Sequence, residues 1–343
     1  INMIRFSQGT MHFVSLSGVD ARCLDGSQAG LYFSNATSSS STNNFKIFFQ
    51  GGGWCYTVES CVDRSKGSLG SSSKWSTTKK GSGVMSSEPN VSGPFSSWNS
   101  IYVPYCDGAS FSGNTLNPLQ VGNTTLYFKG FKILEGVLDL LEKEYGFDQA
   151  ENVLITGCSA GGLASFLHAD MIKNRVEKNN PKAIVKVMPG SGYFMDTDNL
   201  LGQPIYPSRM KNVFEMQNCT AGVNQNCIAN YPDEPWRCMF AQYTYESMET
   251  PSFIINSYYD SWQMGNVLGV NDPDFSKCSF SGPNGCNQKQ IEQVNEFAAS
   301  MVSDIEKTTQ YQDNKVNGVF LHSCWTTVQK DRIIISNNIK WME

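Results

Sequence analysis

One serine stands between glycines in the stretch VLITGCSAGGLASF, where Gly157-Cys158-Ser159-Ala160-Gly161 fits a G-x-S-x-G spacing. That spacing suits a nucleophile on a sharp turn from a strand into a helix. The glycines leave space where side chains would collide, and the hydroxyl stands clear at the start of the helix. A Gly-rich turn that only packs closely or cradles a phosphate is the bland alternative. Neither a G-x-G-x-x-G run nor a Lys-Ser/Thr ending accompanies it, so Ser159 reads as an acyl-transfer nucleophile.

Such a serine needs donors for the charge that develops on the substrate oxygen. One is the amide of the next residue, Ala160, and the others come from a loop after an earlier strand. FFQGGGWC supplies that loop, and Gly52 and Gly53 are the candidate donors because glycine lets main-chain N–H groups approach without an obstructing Cβ. A tight turn held by a Cys55–Cys61 disulfide is a compatible structural reading. For the acid, Asp260 directly ends the apolar run SFIINSYY and is preferred over Asp196 and Asp198, which follow the strand at 183–190. Its structural alternative is a turn or helix cap.

The base is found by elimination among three histidines. His12 lies far before the serine. His168 lies further along the helix that Ser159 opens, about 13 Å away along its axis. His322, at the end of the run GVFLH, alone follows both Ser159 and Asp260 in the order Ser, Asp, His expected of an α/β-hydrolase. A neutral imidazole there would take the serine proton, with the aspartate fixing its tautomer.

Short apolar strands alternating with amphipathic helices would position these residues: 45–50, 100–106, 152–157, 183–190, 252–260 and 318–322 read as strands. Leu134, Val137, Leu138 and Leu141 have helical spacing before Gly146, and Ile291 to Ile305 mark a long helix. The alternation predicts an α/β fold, with a mainly parallel sheet and helices on both faces. We read residues 1–343 as a single domain. Residues 64–97, rich in Ser, Gly and Lys, read as a surface excursion, and about 199–250 as a disulfide-tied cap insertion.

Eleven cysteines without a paired CxxC, and few histidines, favour disulfides over metal; no metal or organic cofactor is expected. The odd count leaves at least one thiol unpaired, and Cys158 is the one expected to be free. Sequons at Asn35, Asn90, Asn123 and Asn218 agree with an oxidising secretory route and a secreted glycoprotein. The net charge of -5, with scattered Lys and Arg, argues against nucleic acid. No run approaches the roughly 18 apolar residues of a membrane span, and the chain reads as a processed, soluble form.

With these residues in place, the sequence resembles the pectin acetylesterase and Notum family of serine carboxylesterases. The blocks CLDGS (23–27), GGGWC (51–55), YCDGASFSG (105–113), GCSAGGLASFLHAD (157–170) and YYDSWQ (258–263) carry the resemblance, closest to plant-type members. It implies an α/β-hydrolase fold, Ser159 as nucleophile, Asp260 as acid, Trp54 and Asp107 near the substrate pocket, and a non-catalytic His168. Cys23–Cys106 and Cys55–Cys61 are the expected pairs. The implied activity is removal of an acyl group, most readily acetyl from a polysaccharide, or alternatively the acyl group of a lipidated protein. The patterns part at His322-Ser-Cys-Trp-Thr-Thr-Val-Gln329: family members resemble SCYAHCQ or SHWTDVQ, which puts Cys324 or Thr327 where the family histidine belongs. An extended backbone would point His322 and Cys324 to the same side. A chain that has lost its base would instead be a structural or glycan-binding extracellular protein.

Overall fold

The computed structural model describes residues 9–313 and 316–326. Among these residues eleven strands form: β1 (Thr10–Ser15), β2 (Gly30–Ser34), β3 (Asn44–Phe49), β4 (Thr78–Lys80), β5 (Asn99–Val103), β6 (Leu119–Val121), β7 (Thr124–Leu126), β8 (Asn152–Cys158), β9 (Ile184–Gly190), β10 (Phe253–Ser257) and β11 (Gly318–His322). Nine of them make one sheet in the order β11-β10-β9-β8-β3-β5-β2-β1-β4, while β6 and β7 pair separately. From β11 to β5 the pairing is parallel; β2, β1 and β4 add an antiparallel edge. The strands expected from the apolar runs all form. β1 and β2 lie outside that expectation; they pair with each other and join the sheet through β4 and β5.

Helix Gly130–Tyr145 forms where the spacing predicts it and stops at Gly146, whose φ of 71° few other residues adopt. Its Ile133, Leu134, Val137, Leu138 and Leu141 are fully buried, each stabilising the fold by about 1.5–3 kcal/mol. They share one core with Val153, Ile155 and Val187 of the sheet, with helix Ala160–Asn179, and with Val294, Phe297, Met301 and Ile305 of helix Gln288–Glu306. Strand alternation sends Leu154, Met188 and Ile255 to the opposite face.

That opposite face is where the reading of 64–97 as a surface excursion needs correcting. The segment contributes β4, and it buries Val84, Met85 and Phe95 against the sheet. Lys46 of β3 is fully buried and donates from Nζ to the carbonyls of Val84, Ser86 and Phe95 at 2.9, 3.1 and 2.8 Å. Bonds from a charged donor are worth about 1.5–3 kcal/mol each and offset the cost of burying the ammonium. A Ser/Gly-rich composition does not disclose such an anchor.

Four disulfides form: Cys23–Cys106, Cys55–Cys61, Cys227–Cys238 and Cys278–Cys286. Cys227–Cys238 lies within about 199–250, the segment read as the cap, whose helices run between residues 205 and 247. Cys158 is free as expected, and Cys219 and Cys324 are free as well. Of the sequon residues, Asn90, Asn123 and Asn218 are exposed and Asn35 is half-buried. Among the described residues no helix is long and apolar enough to cross a membrane.

Candidate active site

Ser159 sits between β8 and helix Ala160–Asn179 with φ 59° and ψ -126°. A non-glycine residue there is strained, and such strain persists only where the surroundings enforce it. Here the enforcement is steric. A Cβ on Gly157 would strike the carbonyl of Gly161, one on Gly161 would strike that of Phe49, and one on Gly162 would strike that of Gly190. Strand and helix therefore meet closely enough to force the turn onto the serine, whose amide donates to Gly190 O at 3.1 Å.

The loop after β3 lies against this turn: a Cβ on Gly51 would meet the Cys158 carbonyl and come within 2.9 Å of Ser159 Cβ. Gly52 and Gly53 have φ values of 147° and 66°. Their carbonyls point at Arg64 and Tyr105. Arg64 Nη2 donates to Gly52 O at 2.9 Å and to Gly53 O at 3.4 Å, and the Tyr105 hydroxyl donates to Gly53 O at 2.8 Å. Across a trans peptide the N–H opposes the C=O, so the amides of Gly53 and Trp54 point the other way. Sequence reasoning paired Gly52 with Gly53. The carbonyl geometry adds Trp54 N–H, a group with no sequence signal of its own.

Trp54 is buried. Its indole N–H donates to Ser110 Oγ at 2.8 Å, and Ser110 Oγ donates to Ala160 O at 2.8 Å. Its ring packs on Phe194, Tyr206 and Trp262, with centroids 5.0, 6.0 and 5.6 Å away. Trp54 thus anchors an aromatic cluster next to the glycine loop. Asp107 is fully buried below the loop, and its Oδ2 accepts from the amides of Ala109 and Phe111. Burial pushes its carboxyl up to about 6, against those amides and the nearby Arg64. Asp107 holds the turn carrying Ser110 and Phe111, which both have positive φ.

Asp260 follows β10 and is fully buried; its Oδ1 accepts from the amides of Trp262 and Gln263 at 2.9 and 3.3 Å. The cap foreseen as its structural alternative is therefore present. Its charge also reaches the elbow: burial first, and Asp260 second, push the Cys158 thiol up to about 11. The competitors are occupied elsewhere. Asp196 accepts from the Tyr243 hydroxyl at 2.6 Å near Arg237, and Asp198 is exposed.

His168 is buried, its Nε2 meets Ser110 O at 2.9 Å, and burial lowers it to about 4, so it is a neutral strut. His12 lies on β1, separated from β8 by β3, β5 and β2. His322 closes β11 opposite Ser257. Its Nδ1 accepts from the Cys324 amide at 3.3 Å and its ring lies 6.2 Å from that of Phe320; it forms no hydrogen bond with Ser159 or Asp260. The strand ends at His322, so His322 and the exposed Cys324 do not share a strand face. Thr327 lies outside the described residues.

A strained serine between a parallel strand and a helix, beside a glycine loop whose Gly53 and Trp54 amides have no main-chain acceptor among the described residues, is the arrangement of hydrolases built on an α/β-hydrolase-like sheet. Residues 6–339 match the Pectinacetylesterase family, and the chain belongs to it. It is 37% identical to pectin acetylesterase 5 of Arabidopsis thaliana over 313 residues, covering 90% of this chain and 70% of that protein. It is 28% identical to the palmitoleoyl-protein carboxylesterase NOTUM of Drosophila melanogaster, over all of this chain and 52% of that one. The crystal structure of the Wnt deacylase Notum from Drosophila superposes with a TM-score of 0.76 at 23% identity, covering 91% of this chain and 83% of that one. The chain is thus a carboxylic-ester hydrolase that acts on acyl esters.

Proposed function

We propose that this chain is a secreted, glycosylated esterase that removes acetyl groups from a polysaccharide through an acyl-serine intermediate. The observation that carries the reading is the conformation of Ser159, held at positive φ by the glycines packed around it. Ser159 attacks the ester carbonyl; the amides of Ala160, Gly53 and Trp54, with Gly52 shaping the loop, bind the oxyanion; and collapse of the tetrahedral adduct expels the sugar hydroxyl. Asp260 is the acid, being buried beside the elbow while Asp196 and Asp198 are not. His322 is the base. Order along the chain supports that role, and closure onto Ser159 requires the turn after β11 to release Nδ1 from Cys324, a tightening on binding that catalytic hydrogen bonds often show. Acetyl is favoured over a long acyl chain because similarity to the Arabidopsis pectin acetylesterases, at 32–37%, exceeds that to the NOTUM carboxylesterases, at 28–29%. Secretion and glycosylation rest on the four disulfides and the exposed sequons.

The test is hydrolysis of p-nitrophenyl acetate beside a Ser159→Ala control, followed by acetate release from acetylated pectin and deacylation of a palmitoleoylated peptide. Equal rates for wild type and Ser159→Ala would sink the esterase. Activity on the peptide but not the pectin would replace the substrate.

A further inference from the structure

The arginine ion pairs among the described residues belong to Arg22, Arg175 and Arg237. Arg64 has none; its guanidinium is spent on neutral main-chain oxygens. Nε donates to Leu69 O at 3.1 Å, Nη2 to Gly52 O at 2.9 Å and Gly53 O at 3.4 Å, and the guanidinium carbon lies 5.0 Å from the centroid of the Tyr105 ring. The helix that carries it, Val58–Ser65, is tied to the glycine loop by Cys55–Cys61, so the side chain starts directly behind the loop.

Two adjacent glycines would otherwise leave the Gly52–Gly53 peptide unit little resistance to rotation. Charge-assisted bonds to both carbonyls fix which edge faces the serine, and neither the Gly53 nor the Trp54 amide has a main-chain acceptor among the described residues. We infer that Arg64 is a positioning residue of the oxyanion hole, locking the Gly52 and Gly53 carbonyls outward so that the Gly53 and Trp54 amides face the tetrahedral adduct on Ser159. The inference rests on the Ser159 esterase reading above.

Arg64→Met keeps an apolar stem and removes the fork, whereas Arg64→Lys keeps the charge on a single-point donor. With p-nitrophenyl acetate, kcat per active site, counted by fluorophosphonate labelling of Ser159, is expected to fall about 10²-fold in Arg64→Met with KM little changed. Arg64→Lys should recover part of that loss. Unchanged kcat per labelled site, with only a lower melting temperature, would overturn the inference in favour of a structural role. A crystal structure of the variant reads the loop independently of turnover: a rotated Gly52–Gly53 peptide supports the inference, and an unmoved one overturns it. If wild type shows no Ser159-dependent turnover, the esterase reading alone falls and the crystal structure decides Arg64. If Arg64→Met does not fold, Arg64→Lys carries both measurements.

Discussion

The Ser110 hydroxyl donates to the carbonyl oxygen of Ala160 at 2.8 Å, fastening the turn after β5 to the first turn of the helix that Ser159 opens. The Ser110 hydroxyl oxygen also accepts the Trp54 indole N–H, so a single hydroxyl joins the elbow, the glycine loop and the Asp107 turn. Ser110→Ala leaves the buried indole N–H unsatisfied. We expect a loss of about 1–3 kcal/mol in denaturant unfolding, together with a lower kcat, because the loop and the elbow are no longer tied.

Gly161→Ala would place a methyl group against the Phe49 carbonyl. Main chain cannot yield there without separating helix from sheet. The expected loss exceeds about 3 kcal/mol, read as a fall in melting temperature.

Asp260→Asn retains an Oδ1 that can cap the helix beginning at Ser261, so folding is expected to survive. With Asp260 as the proposed triad acid, the substitution should cut kcat by about 10³–10⁴-fold. Asp196→Asn, which weakens only the contacts with Tyr243 and Arg237, is expected to leave kcat near wild type. Steady-state kinetics on both variants separate the two carboxylates.

In the proposed mechanism His322 acts as the base when neutral, so activity should rise with pH as its proton is lost. Partial burial lowers its pKa below the usual histidine value, which places the acid limb of kcat/KM below about 6.5. His322→Ala should lose that limb and most of the rate. Full retention of both would assign the base elsewhere.

His168 binds a proton more readily unfolded, near 6.5, than folded, near 4. Its contribution is complete above about 6.5 and declines as pH falls to 4, by up to about 3 kcal/mol. Asp107 slopes the other way: burial raises it to about 6, so the folded state holds its proton more tightly and stability declines as pH rises from 3.8 to 6. His168→Gln leaves Asp107 as it is. The difference in unfolding free energy between wild type and His168→Gln should therefore shift only between pH 6.5 and 4.

Much of the sheet was legible because each parallel strand is buried on both faces and must be a continuous apolar run, as FKIFF and NVLIT are. β1, β2 and β4 were not, since their burial depends on segments far along the chain, and Lys46 looks like a surface residue until Val84, Ser86 and Phe95 close over it. Within the site, YCDGASFSG was visible as a block, but nothing local told that Ser110 would bridge Trp54 and Ala160, or that Arg64 would turn the glycine loop.

The sequence alone determined the elbow. Its strain follows from consecutive residues, Gly157 to Gly162, whose missing side chains permit one tight turn and place Ser159 on it. Tertiary structure decided the partners: which aspartate is buried beside the elbow, which edge of the glycine peptides faces it, and that His322 ends β11 hydrogen-bonded to Cys324. Those outcomes depend on polar groups from distant segments finding one another as the core closes, and spacing along a chain does not encode such meetings.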